Sequence, residues 1–216
     1  MKNMIPNNQN GAVLLIALVM LLVLTVLAIT SMRGVSLEAR ITGNRIEATR
    51  QQQSADAALR EGEYRVLYTK CKYRSHFEAK STNCALSNTL QAGGERKPCL
   101  LEVNEQKLTD FVRQPNLLHE DTDSKTTYLT SASTSGLAWM PYTGLDPNNP
   151  TTASHAASWN IIQGYDGSKQ NESINPEYGN MAEGVGIFYY VVNGAAGDVS
   201  TQSVASKIFA DRNFCD

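Results

Sequence analysis

The side chains that most often do chemistry in proteins are few and scattered in this sequence. His76, His119 and His155 stand far apart, and no carboxylate pattern near them forms a catalytic triad or a metal-ligand motif. The four cysteines contain no C-x-x-C pair, and no histidine lies within three residues of any of them. Because a zinc site needs such clustering, the sequence predicts no metal site, no cofactor and no enzyme.

The four cysteines are better explained as disulfides formed in an oxidising compartment; they are Cys71, Cys84, Cys99 and Cys215. Four cysteines allow three pairings, and the sequence does not choose among them. We favour a local Cys71–Cys84 bond, with Cys99–Cys215 tethering the C-terminus. On this interpretation the domain that carries them is exported.

Other candidate binding residues also have a structural interpretation. Residues 146–150 (DPNNP) and 165–173 (YDGSKQNES) carry oxygen donors but lack the spacing of a calcium loop that ends in a bidentate Glu. We interpret both as turns, and calcium binding stays open. The aromatic residues Trp139, Trp159 and Tyr189-Tyr190 fit a hydrophobic core better than a binding platform.

Composition and charge set the broad class of protein. The chain has 216 residues, with 19 Lys and Arg against 21 Asp and Glu, so bulk electrostatics does not favour a nucleic acid. Once an apolar front segment is set aside, about 150 to 185 residues remain, enough for one domain. The abundant Ser, Thr, Asn and Gly are typical of exported β-rich domains.

An apolar segment stands at the front of the chain. The run from Ala12 to Thr30 has Thr25 and Thr30 as its polar members. At about 1.5 Å per residue, it just spans a hydrocarbon core of roughly 30 Å. A secretory signal has a shorter apolar core followed by a cleavage site, whereas Arg33 and Glu38 follow here within a continuing helical pattern. The sequence therefore predicts a membrane-spanning helix.

A residue that suits proteolytic processing lies before the apolar run. Gly11 ends a polar leader, MKNMIPNNQNG, and glycine offers a peptidase an unhindered backbone. This order of leader, glycine and apolar helix resembles the type III signal of type IV pilins and pseudopilins. The resemblance implies that a prepilin peptidase cuts after Gly11 on the cytoplasmic face and methylates the new N-terminus at Ala12.

One position departs from the pilin pattern. Most pilins carry a glutamate as the fifth mature residue, but that position is Ile16 here, and no acidic residue occurs from Ala12 to Met32. In the family this carboxylate is thought to pair with the N-terminal amine of a neighbouring subunit, since an unpaired charge in lipid is costly. Its absence implies a subunit assembled first, at the growing end. A pilin that tolerates the loss, or a plain anchor, is the alternative.

Residues 11–63 resemble the N-terminal region of PilX-type minor pilins of type IV pili. The resemblance rests on Ser31-Met32-Arg33, Leu37-Glu38, Gly43-Asn44 and residues 55–62 (ADAALREG). It implies the pilin fold and a subunit that primes pilus assembly at or near the tip. Its implied partners are other minor pilins, the major pilin and a PilY-type tip adhesin. Whether such a pilus serves twitching motility, DNA uptake or cell adhesion stays open.

Helical spacing continues past the apolar run. With no proline between Pro6 and Pro98, we predict one helix from about Ala12 to Tyr68. One face carries apolar and small residues, interrupted by the polar Gln52, mostly at steps of three and four, namely Leu37, Ile41, Ala48, Gln52, Ala55, Leu59, Gly62 and Val66. The opposite face carries charges, namely Arg40, Arg50, Asp56, Arg60 and Glu63.

This helix divides the chain into four parts. We predict a cleaved leader (1–11), a transmembrane helix (12–32), an amphipathic continuation (33–68) and a globular head (69–216). In the span, the side chains predicted to pack against the helices of other subunits are Leu14, Ile16, Leu18, Leu22 and Val26.

The head is predicted to be rich in strands. A short helix is expected at 105–112, and strand-like runs occur at 126–131, 137–142, 158–163, 184–192 and 204–210. The run Gly186 to Val192 is the strongest, and we predict that Asn193-Gly194 ends it as a turn into an antiparallel hairpin. The predicted fold class is therefore α+β and pilin-like: a long helix on an antiparallel sheet, with loops fixed by disulfides.

Membrane orientation contains a conflict that keeps other functions open. Only Lys2 precedes the span, while Arg33, Arg40, Arg45 and Arg50 follow it, and the positive-inside rule alone would place the head in the cytoplasm. The cysteines and the pilin resemblance favour an inner-membrane protein with its head in the periplasm, which reaches the cell surface after assembly. The alternatives are a type II secretion pseudopilin and a single-span anchored periplasmic binding module.

Overall fold

The computed structural model describes residues 10–67, 81–88, 98–146, 148–164 and 186–209. The chain separates into two compact units, Met1–Glu47 and Ala48–Asp216. Helix α1, Asn10–Leu67, contributes its first part to one unit and its last part to the other. The helix predicted over residues 12–68 is therefore confirmed.

The second unit is built on a five-stranded sheet. Its strands are β1 (Leu100–Leu101), β2 (Met140–Pro141), β3 (Ala157–Gln163), β4 (Gly186–Ala196) and β5 (Val199–Phe209). β3, β4 and β5 are antiparallel neighbours, and the other edge of β3 pairs antiparallel with β2 and parallel with β1. Together with α1, this sheet confirms the α+β, pilin-like fold class.

Two glycines let α1 lie very close to the sheet. Gly62 faces Trp159 and Val192, and a Cβ placed on it would lie 2.6 Å from Val192 Cγ1. A Cβ on Gly194 would overlap Ala55 O and lie 2.6 Å from Leu59 N. The helix backbone therefore packs directly on β3 and β4, which buries the large side chains of this face.

A hydrogen-bonded row of amide side chains crosses the other face of the sheet. Asn193 Nδ2 donates to Asn160 Oδ1 at 2.8 Å, and Gln202 Nε2 donates to Asn193 Oδ1 at 2.7 Å. Asn160 Nδ2 in turn donates to Ala138 O at 3.1 Å. Because Asn160 and Asn193 are fully buried, these bonds satisfy groups that would otherwise be costly, and they join the strands to the segment that precedes β2.

The segment between β1 and β2 contains two short helices, α2 (Leu108–Arg113) and α3 (Thr122–Tyr128). The helix expected at 105–112 is confirmed, since a 3-10 turn at Glu105–Lys107 leads directly into α2. The strand expected at 126–131 is wrong. Asp121 caps α3 by accepting a hydrogen bond from Ser124 N at 2.7 Å, and Thr127 Oγ1 bonds back to Asp123 O at 2.7 Å. These local bonds outweigh the strand preference of threonine.

The C-terminal hairpin is confirmed, but its turn lies elsewhere. Asn193 and Gly194 are paired residues within β4, so the turn predicted there is wrong. The chain turns at Gly197 and Asp198, and Gly197 has a φ of +58°, which favours glycine. Both strands are accordingly longer than the runs predicted at 184–192 and 204–210.

The structure corrects the favoured disulfide pairing. Cys84 is bonded to Cys99, with a Cα–Cα distance of 4.7 Å, so neither Cys71–Cys84 nor Cys99–Cys215 forms. Both bonded residues are buried, and Cys99 leads directly into β1, which fixes the bond against the core. Cys71 and Cys215 lie outside the described residues.

We expect Cys71 and Cys215 to form the second disulfide. Lys207 Nζ, near the end of β5, donates to Val66 O, near the end of α1, at 2.9 Å. The two cysteines follow these ends by four residues after Leu67 and six after Phe209. Those lengths of chain reach about 13 Å and 20 Å, enough to meet. Peptide mapping under non-reducing conditions should recover the Cys71 and Cys215 peptides joined.

Single serine variants give a second test of this bond. Cys71→Ser and Cys215→Ser should each lower the free energy of unfolding by about 2–5 kcal/mol, and by the same amount, because each removes the same cross-link. Free thiols at both positions in the wild-type protein, or unequal losses in the two variants, would contradict the pairing.

Candidate assembly surface and its attachment to the head

The first part of α1 presents an uninterrupted apolar surface. From Val13 to Met32, its large apolar side chains are between 46% and 75% exposed within their own unit. Among the described residues, α1 is the one helix long and apolar enough to cross a membrane by length and composition. Exposed apolar area on this scale is unfavourable in water, so the segment needs lipid or other apolar helices around it.

The two threonine hydroxyl groups of this segment are satisfied within the helix itself. Thr25 Oγ1 donates to Leu22 O at 2.8 Å, and Thr30 Oγ1 donates to Leu27 O at 2.9 Å. No ionisable residue occurs between Val13 and Met32. The segment can therefore move between lipid and a dry bundle of helices without breaking these two hydrogen bonds or stripping water from a charge.

The residues predicted to mediate assembly are all exposed; Leu14, Leu18, Leu22 and Val26 share one face at steps of four, and Ile16 lies on another.

Gly11 and Ala12 lie in the first turn of α1, which begins at Asn10. A peptidase that cuts between them must therefore unwind this turn. That unwinding is cheap, because first-turn amides have no intrahelical acceptor and glycine weakens a helix.

Only the last part of the predicted apolar stripe packs on the head. Ala55, Gly62 and Val66 are buried, and Leu59 is half-buried. By contrast, Leu37 and Ile41 are exposed in the first unit, so the apolar surface continues past the predicted span. On the charged face, Arg40, Arg50 and Arg60 are exposed and Asp56 and Glu63 are half-buried, as a solvated face requires.

The helix is attached to the head by a buried ion pair. Glu61 and Arg65 are 0% and 1% exposed, and Arg65 Nη2 lies 3.3 Å from Glu61 Oε1. Glu61 Oε2 accepts hydrogen bonds from Thr143 N at 2.7 Å and Gly144 N at 3.2 Å, while Thr143 Oγ1 donates to Oε1 at 3.1 Å. The carboxylate therefore joins α1 to the chain that follows β2.

The guanidinium of Arg65 extends the same attachment to two further parts of the head. It donates to Asn88 Oδ1 at 3.2 Å and to Asn88 O at 3.1 Å, in the segment that carries Cys84. It also lies over the Trp159 ring, 5.4 Å from the ring centroid, a cation–π contact. One i,i+4 pair on α1 thus holds the disulfide segment, the β2–β3 connection and the sheet together.

Sequence reasoning missed this pair because both residues are charged. The sequence did carry an indication of this pair. Glu61 and Arg65 stand four residues apart, and they directly precede Gly62 and Val66 of the stripe that packs against the sheet. Opposite charges beside a buried stripe indicate a buried pair only when the fold supplies donors such as the Thr143 and Gly144 amides.

The remaining candidate groups do not come together. Among the described residues, no group of three or more His, Cys, Asp or Glu side chains could hold a metal ion. His119 is exposed, and His76 and residues 165–173 lie outside the described residues. At 146–150, Asn148 N donates to Asp146 Oδ1 at 2.9 Å, which fits the predicted turn.

These features define a class of protein and then a family. A long N-terminal helix, apolar in front and packed on a mostly antiparallel sheet behind, is the arrangement of a pilin-like protein that is anchored in a membrane. Residues 10–60, about a quarter of the chain, match the family model described as PilX N-terminal. This match supports a PilX-type minor pilin of a type IV pilus. No curated protein and no solved structure matched the chain.

The family match indicates the general role of the protein. PilX proteins are structural pilins and not an enzyme family, and a pilin associates with other components of its pilus. The apolar front of α1 fits a membrane-anchored pilus component.

Proposed function

We propose that this minor pilin primes assembly of a type IV pilus and stays at or near its tip. The observation that carries the proposal is the apolar part of α1, which matches the PilX N-terminal family and has no charge from Val13 to Met32. At Ile16, where most pilins carry a glutamate, this subunit offers no carboxylate to the amine of a neighbour. A subunit that is assembled first does not need one.

The mechanism follows from the two halves of α1. In the membrane, the exposed row from Leu14 to Val26 packs against the helices of other minor pilins and of the major pilin. As further subunits enter below, the bundle leaves the lipid. The buried Glu61–Arg65 pair makes the head follow the helix, because separating them would break several hydrogen bonds in a dry site.

The head is proposed to lie in the periplasm before assembly and at the cell surface afterwards. The Cys84–Cys99 disulfide supports this orientation against the arginines that follow the span, since such bonds persist in oxidising compartments. From there the head would dock on other minor pilins and present a PilY-type adhesin. The prepilin peptidase would act earlier, at Gly11 and Ala12, on the cytoplasmic face.

We expect Gly11→Val to block processing and to abolish pili. The valine side chain adds bulk beside the scissile bond, where glycine leaves the backbone unhindered, so the leader should stay attached and hold the helix in the membrane. Mass spectrometry of the membrane-extracted protein should show loss of residues 1–11 and a methylated Ala12 in the wild type, and an intact leader in the variant. Electron microscopy should then show few or no pili.

The matched control is Gly34→Val, which places the same side chain on the same helix where nothing lies within 4 Å. This variant should be processed like the wild type.

Normal processing and piliation of Gly11→Val would contradict the proposal, and an intact leader in the wild type would favour an unprocessed anchored module. Immunogold label along the whole length of sheared pili would contradict the tip position, and loss of protein secretion with normal pili would favour a type II pseudopilin.

A further inference from the structure

A surface cleft of about 580 Å³ opens where β4 turns into β5. It is lined by the turn at Gly197 and Asp198 with the end of β4, and by Asn116, residues 118–120 and Trp139. Ala156 and Ser158, at the start of β3, also line it. The volume lies in the range of sites that hold a small molecule, and the whole cleft belongs to the second unit.

Trp139 is held in one orientation at the wall of this cleft. Its indole Nε1 donates to Leu118 O at 2.6 Å, and its backbone N donates to Glu120 Oε1 at 2.8 Å. Trp159 is fully buried, whereas Trp139 packs against the core and still lines the cleft, half-buried. Several of the other lining residues are small, namely Ala156, Ala195, Ala196 and Gly197. The cleft thus has a fixed aromatic wall.

The polar groups of the cleft suit a ligand that carries hydroxyl groups. Glu120 is paired with Lys125, whose Nζ lies 2.9 Å from Oε2, so its charge is balanced. Each of its oxygens uses one hydrogen bond and keeps a free lone pair. His119 and Ser158 add groups that donate and accept hydrogen bonds, as does Asn116, whose Nδ2 also donates to Asp198 O at 3.2 Å, and Asp198 adds a second carboxylate. No Lys or Arg lines the cleft among the described residues, which disfavours phosphates and other anions.

We propose that this cleft binds a saccharide. A sugar ring presents an apolar C–H face and a rim of hydroxyl groups, and the cleft offers an aromatic wall next to a rim of carboxylate, amide, imidazole and hydroxyl groups. A cationic ligand fits less well, because Lys125 neutralises one carboxylate of the cleft, Glu120, and the other, Asp198, is exposed to water, which screens its attraction for a cation. This inference does not depend on where in the pilus the subunit lies.

A glycan array probed with the full-length protein in detergent tests the proposal. Glycans that bind should also change the tryptophan fluorescence in a saturable way, since Trp139 is one of the two tryptophans and Trp159 is buried away from solvent. Trp139→Ala should lower the affinity at least tenfold. Ala156→Leu places a larger side chain at an exposed residue of the cleft and leaves the tryptophan in place, and it should lower the affinity similarly.

Tyr189→Ala is the matched control, because it removes a partly exposed aromatic ring that does not line the cleft, and it should bind like the wild type. The proposal is wrong if no glycan on the array binds, or if Trp139→Ala and Ala156→Leu bind as well as the wild type. A saturable signal with trilysine but with no glycan would also overturn it and would identify a site for cationic groups.

Discussion

Replacing Gly194 with valine should strongly destabilise the head of this protein. Gly194 lies within β4, where a Cβ would overlap Ala55 O and lie 2.6 Å from Leu59 N. Both obstacles are backbone atoms of α1, which cannot rotate away as a side chain can. Forcing the helix off the sheet should cost at least about 3 kcal/mol, well above the roughly 1 kcal/mol that valine gains over glycine in a strand.

Urea unfolding of the full-length protein in detergent, followed by the fluorescence of the buried tryptophan, measures this loss. Gly43→Ala is the control, since nothing lies within 4 Å of Gly43 on the exposed part of the same helix. That change should leave the unfolding of the head unaltered. A Gly194→Val head as stable as the wild type would show that α1 does not pack on β4 at this distance.

Glu61→Ala should have the second large effect. The variant leaves the Arg65 guanidinium buried without its carboxylate and leaves the Thr143 and Gly144 amides without an acceptor. Breaking one partner of a buried ion pair typically costs 3–5 kcal/mol. The same urea titration should therefore move to much lower denaturant concentration. Because the pair joins α1 to the head, we expect this variant to be lost from assembled pili.

Two further variants separate the ion pair from a general effect of mutating the helix. Glu63→Ala removes a half-buried charge two residues away and should change stability by less than about 0.5 kcal/mol. The double variant Glu61→Leu/Arg65→Met should lose less than the sum of the two single variants, because no uncompensated charge stays buried. Additive losses would mean that the two side chains do not act as a pair.

These two predictions concern the same property, the stability of the attachment between the head and helix α1. Gly194 and Gly62 bring the helix backbone against the sheet, and Glu61 and Arg65 then fix the loops around it. In the proposed mechanism the subunit leaves the membrane by its helix, and it must then carry its head along. The close packing of α1 on the sheet and the buried Glu61–Arg65 ion pair both resist separation of the head from the helix.

The amino-acid sequence by itself determined the parts of the protein that depend on local pattern. The absence of charge from Ala12 to Met32, and of proline up to Pro98, was enough to predict α1, since both the span and the helix are properties of consecutive residues. The residues between Gly11 and Glu63 carried the PilX resemblance, which the family match confirmed. The β-branched and aromatic run at Gly186 likewise predicted β4 and its hairpin.

Only the tertiary structure decided what depends on groups far apart in the chain. Asn193-Gly194 has the composition of a turn, but Gly194 stays in the strand because the backbone of α1 requires a residue without a side chain there. Cys84 bonds to Cys99 because the fold brings the two together against the core. Glu61 can be buried because Thr143 and Gly144 point their amides at it. Sequence pattern fixes which face of an element is apolar, whereas close approach and buried charge require knowing what packs against that face.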